Sequence, residues 1–159
     1  MRASACLLLL CLVSAGCGPS VDLSKGLQIL DVSSGWFDAG LVDGQNKLVP
    51  TISFRLKNVS DQKLATLQVN ALFRRVTDPK EEWGSGFLTV AGPEGLLPGQ
   101  VTPTLTIRSQ LGYKGTDPRD ELLHNSQFVD AKVDLFAKYG STQWKQIGAF
   151  QTDRRLIIQ

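Results

Sequence analysis

Apolar and polar side chains alternate along much of this chain with a period of two. In residues 51–57 every second side chain is apolar, and residues 65–73 largely repeat the pattern. Successive side chains of a strand point to opposite faces, so each segment predicts a β-strand with one face in a core. Because the polar residues 58–63 between them favour a turn, we predict that the two strands form a hairpin.

The same alternation recurs along the rest of the chain, and segments rich in Gly, Pro, Asp and Asn separate the predicted strands. About seven to eight strands that are apolar on one side can bury those sides only in two stacked sheets or a closed barrel. We predict an all-β fold, a single β-sandwich domain over residues 26–159. The other strands are predicted at residues 27–33, 86–90, 101–107, 129–139 and 144–152, with a terminal apolar run at 156–158.

One short helix is predicted within this domain. Asp117 is suited to cap its N-terminus, and Pro118 is suited to its first turn. Leu122 and Leu123 would form its apolar side. His124 would stand at its C-terminal end, where a cationic ring meets the helix dipole favourably, and we prefer this role to a catalytic one.

Two apolar side chains interrupt the polar faces of their strands and predict a partner surface. Leu72 and Phe136 stand where the alternation favours polar residues. Such residues either form an exposed contact surface or lie under the helix or a loop. We add Trp83 to the predicted surface because a tryptophan ring offers a large contact area, although packing in the core is the alternative for every tryptophan of the chain.

Composition argues against several classes of function. The 17 basic and 15 acidic side chains are interleaved, which leaves no basic stripe for nucleic acid. The three cysteines, Cys6, Cys11 and Cys17, all precede the domain, so His124 has no thiolate to share a metal with. No phosphate-binding loop, nucleophile elbow or zinc-binding helix motif occurs. We therefore expect no cofactor, no metal and no enzymatic activity.

An acidic cluster beside Trp83 supports a competing interpretation. Asp78, Glu81 and Glu82 precede the tryptophan closely. Glycoside hydrolysis requires a pair of carboxylates, and a tryptophan ring can stack on a sugar. The same residues are ordinary composition for a solvated turn. The alternative function is thus an envelope glycan-binding protein or a small hydrolase that uses Trp83 and these carboxylates.

The N-terminal residues 1–16 have the layout of an export signal. Arg2 supplies a positive charge, residues 7–13 are predominantly apolar, and small residues then precede Cys17. The apolar stretch is shorter than the roughly 18 to 20 residues that a membrane-spanning helix needs. The layout favours a cleaved signal peptide over a permanent transmembrane anchor.

Residues 13–17, with the sequence Val-Ser-Ala-Gly-Cys, resemble the lipobox of bacterial lipoproteins, with Ser14 where that family usually has Leu. The resemblance implies that Cys17 is diacylated, becomes the first residue after cleavage and is then often N-acylated. Gly18 resembles the residue that follows the cysteine in lipoproteins sent to the outer membrane. The implied location is the cell envelope, on the periplasmic side of the outer membrane if the host has two membranes.

The competing interpretation of the leader is an ordinary secretory signal cleaved after Ala15 or Gly16, which would leave Cys17 as a free thiol. If Cys17 is lipidated, residues 17–25 are predicted to be a flexible tether. Gly18 to Lys25 would reach at most about 26 Å. Two or three acyl chains would hold the protein durably, because one chain anchors only marginally.

A second resemblance covers roughly residues 48–107. The alternating strand, the asparagine turn at Asn58 and the Leu-Pro-Gly segment at 97–99 are similar to small immunoglobulin-like or fibronectin-like envelope domains. The resemblance implies an immunoglobulin-like sandwich. Together with the leader it implies a non-catalytic lipoprotein that is held in the membrane by acyl chains on Cys17 and that binds an envelope protein or organises the envelope.

Overall fold

The protein is a β-sandwich of two antiparallel four-stranded sheets, which confirms the predicted fold class. The computed structural model describes residues 19–157, so the predicted leader and Cys17 lie outside the described residues. The first sheet contains β1 (Leu27–Val42), β2 (Gln45–Asn58), β5 (Leu105–Arg108) and β6 (Tyr113–Gly115). The second sheet contains β3 (Gln68–Arg75), β4 (Gly84–Thr89), β7 (Ala131–Lys138) and β8 (Lys145–Gln151).

The strand order is that of an immunoglobulin-like sandwich. The first sheet has the order β1-β2-β5, with β6 pairing farther along β2, and the second has the order β4-β3-β7-β8. These orders correspond to the A-B-E and C′-C-F-G arrangements of such domains. Every strand pair of both sheets is antiparallel.

The predicted hairpin between residues 51–57 and 65–73 is wrong. The first of these segments lies in β2, which pairs with β1 on one side and with β5 on the other. The second lies mostly in β3, which pairs with β4 and β7 in the opposite sheet. The polar segment between them carries the chain from one sheet to the other, so the two apolar faces meet across the core instead of side by side.

The core lies between the sheets and follows the predicted alternation. In β3 and the residues before it, the buried side chains are Leu67, Val69, Ala71 and Phe73. In β7 every second residue from Ala131 is buried as well. The opposite sheet supplies fully buried apolar side chains at Ile52, Phe54 and Leu56. The phase of the pattern therefore specified which face of each sheet points inward.

The packed domain begins earlier than the predicted boundary at residue 26. Residues Leu23–Gly26 form a single helical turn, α1, and the Leu23 side chain is buried in the main core. Asp22 caps this turn by accepting hydrogen bonds from the backbone N–H and the hydroxyl of Ser24. The part of the predicted flexible tether that includes Leu23 is thus structured, because burial of this apolar side chain offsets the conformational entropy lost when the segment becomes ordered.

The predicted helix is present as a single turn, and its cap differs from the predicted one. It is α2, spanning Arg119–Leu122, with Pro118 at the N-cap position and no side-chain cap. The Asp117 carboxylate instead accepts a hydrogen bond from the Asn125 amide at 2.8 Å, so the predicted cap by Asp117 is wrong. His124 follows the helix, and its Nδ1 lies 2.9 Å from the Asp120 carbonyl oxygen.

The C-terminal segment covers an edge of the first sheet. After β8 the chain crosses to β1. There the backbone N–H of Trp36 donates to the Arg155 carbonyl at 2.8 Å, and the backbone N–H of Ile157 donates to the Trp36 carbonyl at 2.9 Å. Leu156 forms a parallel bridge with Trp36. The predicted terminal apolar run therefore adds a short strand to the β1 edge as far as residue 157.

The opposite side of the sandwich depends on a close approach of β4 to β5. A Cβ atom added to Gly86 would lie 2.4 Å from Ile107 Cγ2 and 2.7 Å from the Arg108 carbonyl oxygen. These distances are shorter than a carbon atom can approach without displacement of a neighbour. Only a glycine at position 86 lets the two sheets come this close.

The sandwich has two ends, which are named here by their distance from the predicted lipid site. The proximal end carries residues 19–26, the inter-sheet turn at 58–63, the loop at 90–104 and the turn at 139–144. The distal end carries the β1–β2 turn and the segments at 76–83 and 109–130. None of the helices in residues 19–157 has the length and apolar character needed to cross a membrane.

Candidate functional site: an aromatic face on the second sheet

Leu72 and Phe136 both lie on the outer face of the second sheet and are half-buried. Leu72 pairs with Asp134 of β7, and Phe136 pairs with Asn70 of β3. Residues that are directly opposite in an antiparallel pair share a face, so the two apolar side chains are diagonal neighbours on adjacent strands. The outward direction predicted for both residues agrees with this register.

Phe87 extends this surface onto the edge strand β4. It pairs with Asn70, so Phe87 and Phe136 flank the small Asn70 side chain in one row across three strands. The Phe87 side chain is exposed, with 57% of its surface accessible. An aromatic ring this accessible keeps a large apolar area in contact with water.

Trp144 completes the surface from the other edge strand. It immediately precedes β8, whose first residue Lys145 pairs with Ala137, and the register therefore places Trp144 beside Lys138 on the outer face. The Trp144 side chain is 39% exposed. Its ring meets the Phe87 ring edge to face, with centroids 6.2 Å apart and an interplanar angle of 80°. We call the surface formed by Leu72, Phe87, Phe136 and Trp144 the aromatic face.

Charged groups border the aromatic face. The Lys138 Nζ lies 5.1 Å from the centroid of the Trp144 ring, within the range of a cation–π contact. On the distal side, Arg74 Nε and Asp134 Oδ2 form an ion pair at 3.1 Å in which both side chains are largely shielded from solvent. An apolar centre with a polar rim is the arrangement of a protein-binding surface.

Trp83, predicted as part of the partner surface, has other contacts. It is half-buried and packs against the distal core cluster that contains Trp36 and Phe128. Its ring centroid lies 6.1 Å from that of Trp36, and the Arg75 guanidinium lies 5.4 Å from its centroid. The ring contacts of Trp83 are thus at the distal end, whereas Phe87 contacts Trp144.

The acidic cluster beside Trp83 borders a small cavity. Asp78, Glu81 and Glu82 line it together with Arg75 and Trp83, and its volume is about 60 Å³. Sites for small molecules usually enclose roughly 300 to 1,000 Å³. Within residues 19–157, no group of three or more His, Cys, Asp or Glu side chains is placed to hold a metal ion.

Part of the aromatic face was difficult to identify from the sequence. Phe87 and Leu88 are adjacent apolar residues, so the alternation alone does not say which of them points outward. The register shows that Leu88 packs against the core and that Phe87 points outward. The two glycines at 84 and 86 were the remaining signal, because they mark the face of β4 that lies against β5 and the residues just after it.

Comparisons with known proteins show similarity to solved structures only. No protein-family model matches the sequence, and no curated protein matches it. The fold is similar to the X-ray structure of Northeast Structural Genomics Consortium target SoR45, with 12% sequence identity and a TM-score of 0.46. The matched region covers 82% of this chain and 88% of that chain. A similarity of this extent has no bearing on function.

Proposed function

We propose that this protein is a non-catalytic lipoprotein of the cell envelope that is anchored by acyl chains on Cys17 and binds a protein partner through the aromatic face. The observation that carries the partner-binding proposal is the pair of exposed rings, Phe87 and Trp144, on a sheet face that also presents Leu72 and Phe136. Large aromatic side chains contribute disproportionately to protein–protein binding energy.

A protein docking on the face is favoured over strand addition at the β1 edge. The segment at 155–157 already pairs with β1 around Trp36, so the backbone groups there are in use. A strand added by a partner requires unpaired backbone N–H and C=O groups. The aromatic face needs no such groups, because its contacts would be made by side chains.

The anchor is tested by the intact mass of the protein extracted from host membranes. We expect a mass equal to residues 17–159 plus acyl chains, and we expect the Cys17→Ser variant to remain unprocessed. A wild-type mass without acyl chains would show that the leader is an ordinary secretory signal. The protein would then carry a free thiol at Cys17, and a disulfide-linked partner would be sought.

The binding face is tested by photo-crosslinking in the host. A photoreactive residue at Gln146, which pairs with Phe136 and shares its face, should give a discrete crosslinked product with one protein. The matched control is Gln28, an exposed residue of β1 whose partner Lys57 belongs to the first sheet. Equal crosslinking from Gln28 and Gln146 would contradict binding through the aromatic face.

The second candidate function is glycan binding or hydrolysis at Trp83, and the cavity lined by Asp78, Glu81 and Glu82 is the observation that favours it. Its test uses tryptophan fluorescence in a Trp144→Phe background, which removes the exposed indole fluorophore of the other site. Quenching by cell-wall fragments that disappears in Trp83→Phe would support this candidate. Hydrolase activity lost on changing Glu81 or Glu82 would replace the non-catalytic proposal.

A further inference from the structure

The chain that precedes the sandwich is fixed to its proximal end by specific contacts. The Gln62 amide donates to the Pro19 carbonyl at 3.0 Å. The Val21 N–H donates to the Tyr139 hydroxyl oxygen at 2.6 Å. Together with the buried Leu23 side chain, these contacts leave little freedom to the chain from Pro19 onward.

This attachment shortens the tether between the domain and the predicted lipid site. Only Gly18 stands between Cys17 and Pro19. Two residues of extended chain span at most about 7 Å. A domain attached to acyl chains by so short a connection cannot turn its distal end toward the bilayer without releasing the contacts of Pro19 and Val21.

The proximal end also exposes two large aliphatic side chains. Val59 is 48% exposed and Leu97 is 51% exposed. Their loops are joined through the backbone of Asn58. Its backbone N–H donates to the Gln100 carbonyl at 3.0 Å, and its backbone carbonyl accepts from the Gly99 N–H at 2.7 Å. The Val59 N–H in turn donates to the Gly26 carbonyl at 2.9 Å, so Val59 adjoins the attachment segment.

Acidic and basic side chains at the proximal end lie close together and largely neutralise one another. Lys145 lies 3.8 Å from Asp22, and Lys25 also interacts with this carboxylate. Lys63 is close enough to Glu94 to act on its carboxylate. An end with such mixed charge does not require anionic lipid, and its contact with a bilayer would depend on the tether and on apolar side chains.

We propose that the proximal end rests on the phospholipid surface through residues 19–26, 58–63 and 96–100, with Val59 and Leu97 seated among the headgroups. This inference depends on the proposed lipidation of Cys17 and adds to it a fixed orientation of the domain. The occupant of this surface is a bilayer of neutral phospholipid. The aromatic face then stands beside the membrane, roughly perpendicular to its surface, and is accessible to a partner in the same envelope layer.

The experiment attaches an environment-sensitive fluorophore to single cysteines of the full-length lipoprotein. Because no cysteine follows Cys17 in the sequence, the variants Val59→Cys and Leu97→Cys each provide one labelling site once Cys17 is acylated. The control is Leu41→Cys, a distal residue that is 71% exposed and pairs with Asn46. Position 46 is separated from position 58 by about 40 Å of extended strand.

The labelled protein is reconstituted into phosphatidylcholine vesicles that carry a quencher at the headgroup level. We expect labels at 59 and 97 to shift to the blue and to lose most of their fluorescence, while the label at 41 is unaffected. Equal quenching at all three positions, stronger quenching at 41, or no quenching at 59 and 97 would overturn the orientation.

The mass of the same samples separates the two proposals. Acylated protein that floats with the vesicles but shows no quenching at 59 and 97 would leave the lipid anchor intact and refute only the orientation. Protein without acyl chains on Cys17 would refute both. Leu97→Cys keeps the test decisive if Val59→Cys does not fold, because the two side chains lie on different loops of the same end.

Discussion

The rings of Phe87 and Trp144 meet edge to face on the outer surface of the second sheet, with centroids 6.2 Å apart. Phe87 lies in the edge strand β4, whereas Trp144 precedes β8 at the opposite edge of that sheet. Replacing both rings by serine removes most of the exposed aromatic area. We expect crosslinking from Gln146 to decrease by roughly tenfold or more, as for the loss of a binding hot spot.

The same double variant should be almost as stable as the wild type, since exposed substitutions usually change the unfolding free energy by about 1 kcal/mol or less. Urea unfolding checks this point. The control is Leu41→Ser, which removes an exposed apolar side chain far from the aromatic face. A comparable loss of crosslinking in that control would indicate a nonspecific effect of surface hydrophobicity.

The buried side chain of Asn58 is expected to be critical for the crossing between the sheets. Its amide donates to the carbonyl oxygens of Gln62 and Leu96, each at 2.8 Å, and its Oδ1 accepts from the N–H and hydroxyl of Ser60. Asn58→Ala removes both amide donors and the acceptor for Ser60. The Leu96 carbonyl then keeps the Leu64 N–H, and the partly buried Gln62 carbonyl keeps the Ser60 hydroxyl. We expect a loss of about 2 to 4 kcal/mol in unfolding free energy, measured in urea.

Asn58→Asp is the informative comparison. A carboxylate preserves the acceptor for Ser60 but places negative charge against two carbonyl oxygens, so we expect it to be at least as destabilising as the alanine variant. Asn70→Ala, on the outer face of β3, serves as the control for replacing an asparagine. An Asn58→Asp protein as stable as the wild type would contradict the assigned role of the amide group.

Much of the sandwich could be predicted from the sequence because its alternation is regular. The inward positions of β3 and β7 follow the period of two without exception. The strands with which β2 and β3 pair could not be identified in this way. Alternation identifies the buried face of a strand, but it does not distinguish a neighbour in the same sheet from one across the core.

The candidate site shows a similar limit. Leu72 and Phe136 could be identified because each is an apolar residue within an otherwise polar face. The contact of Phe87 with Trp144 depends on the register of four strands and on ring orientations, which no local pattern encodes. The cap of α2 was mispredicted because Asp117 finds a different partner in Asn125.

Position 86 should accept no residue larger than glycine without a loss of stability. The added Cβ of Gly86→Ala would collide with Ile107 Cγ2 and the Arg108 carbonyl oxygen. We expect a loss of about 1 to 3 kcal/mol in unfolding free energy, as for other overpacked sites. Ser85→Ala on the adjacent position of β4 is the control, and its midpoint in urea should be nearly unchanged. Wild-type stability of Gly86→Ala would show that the sheets separate there more easily than the structure indicates.

The ion pair of Asp130 with Arg154 should make a small pH-dependent contribution to stability. Arg154 Nε and Nη2 donate to the two carboxylate oxygens at 2.6 and 2.9 Å, and these hydrogen bonds lower the pKa of Asp130 from its ordinary value. A carboxyl with a lowered folded-state pKa stabilises the fold above its unfolded pKa of about 3.9. That contribution is lost as the pH falls through the lower folded-state pKa.

We therefore expect Asp130→Asn to reduce the unfolding free energy at about pH 6 by no more than roughly 1 kcal/mol, because both side chains are more than a third exposed. The difference from the wild type should shrink below about pH 4. Urea unfolding across this range measures it. Asp153→Asn, which removes a looser 3.6 Å pair with Arg155, is the control. A difference that grows on acidification would have the wrong sign for this mechanism.

The segment that covers the edge of β1 is synthesised well after β1 itself. Arg155, which donates to the Ser34 carbonyl, lies 121 positions farther along the chain. The ribosome therefore completes β1 long before it makes the segment that shields the strand's edge around Trp36. A nascent or prematurely terminated chain would present that edge to other copies of itself, which is a known route to aggregation. The edge of β1 around Trp36 is covered only once residues 155–157 dock beside it.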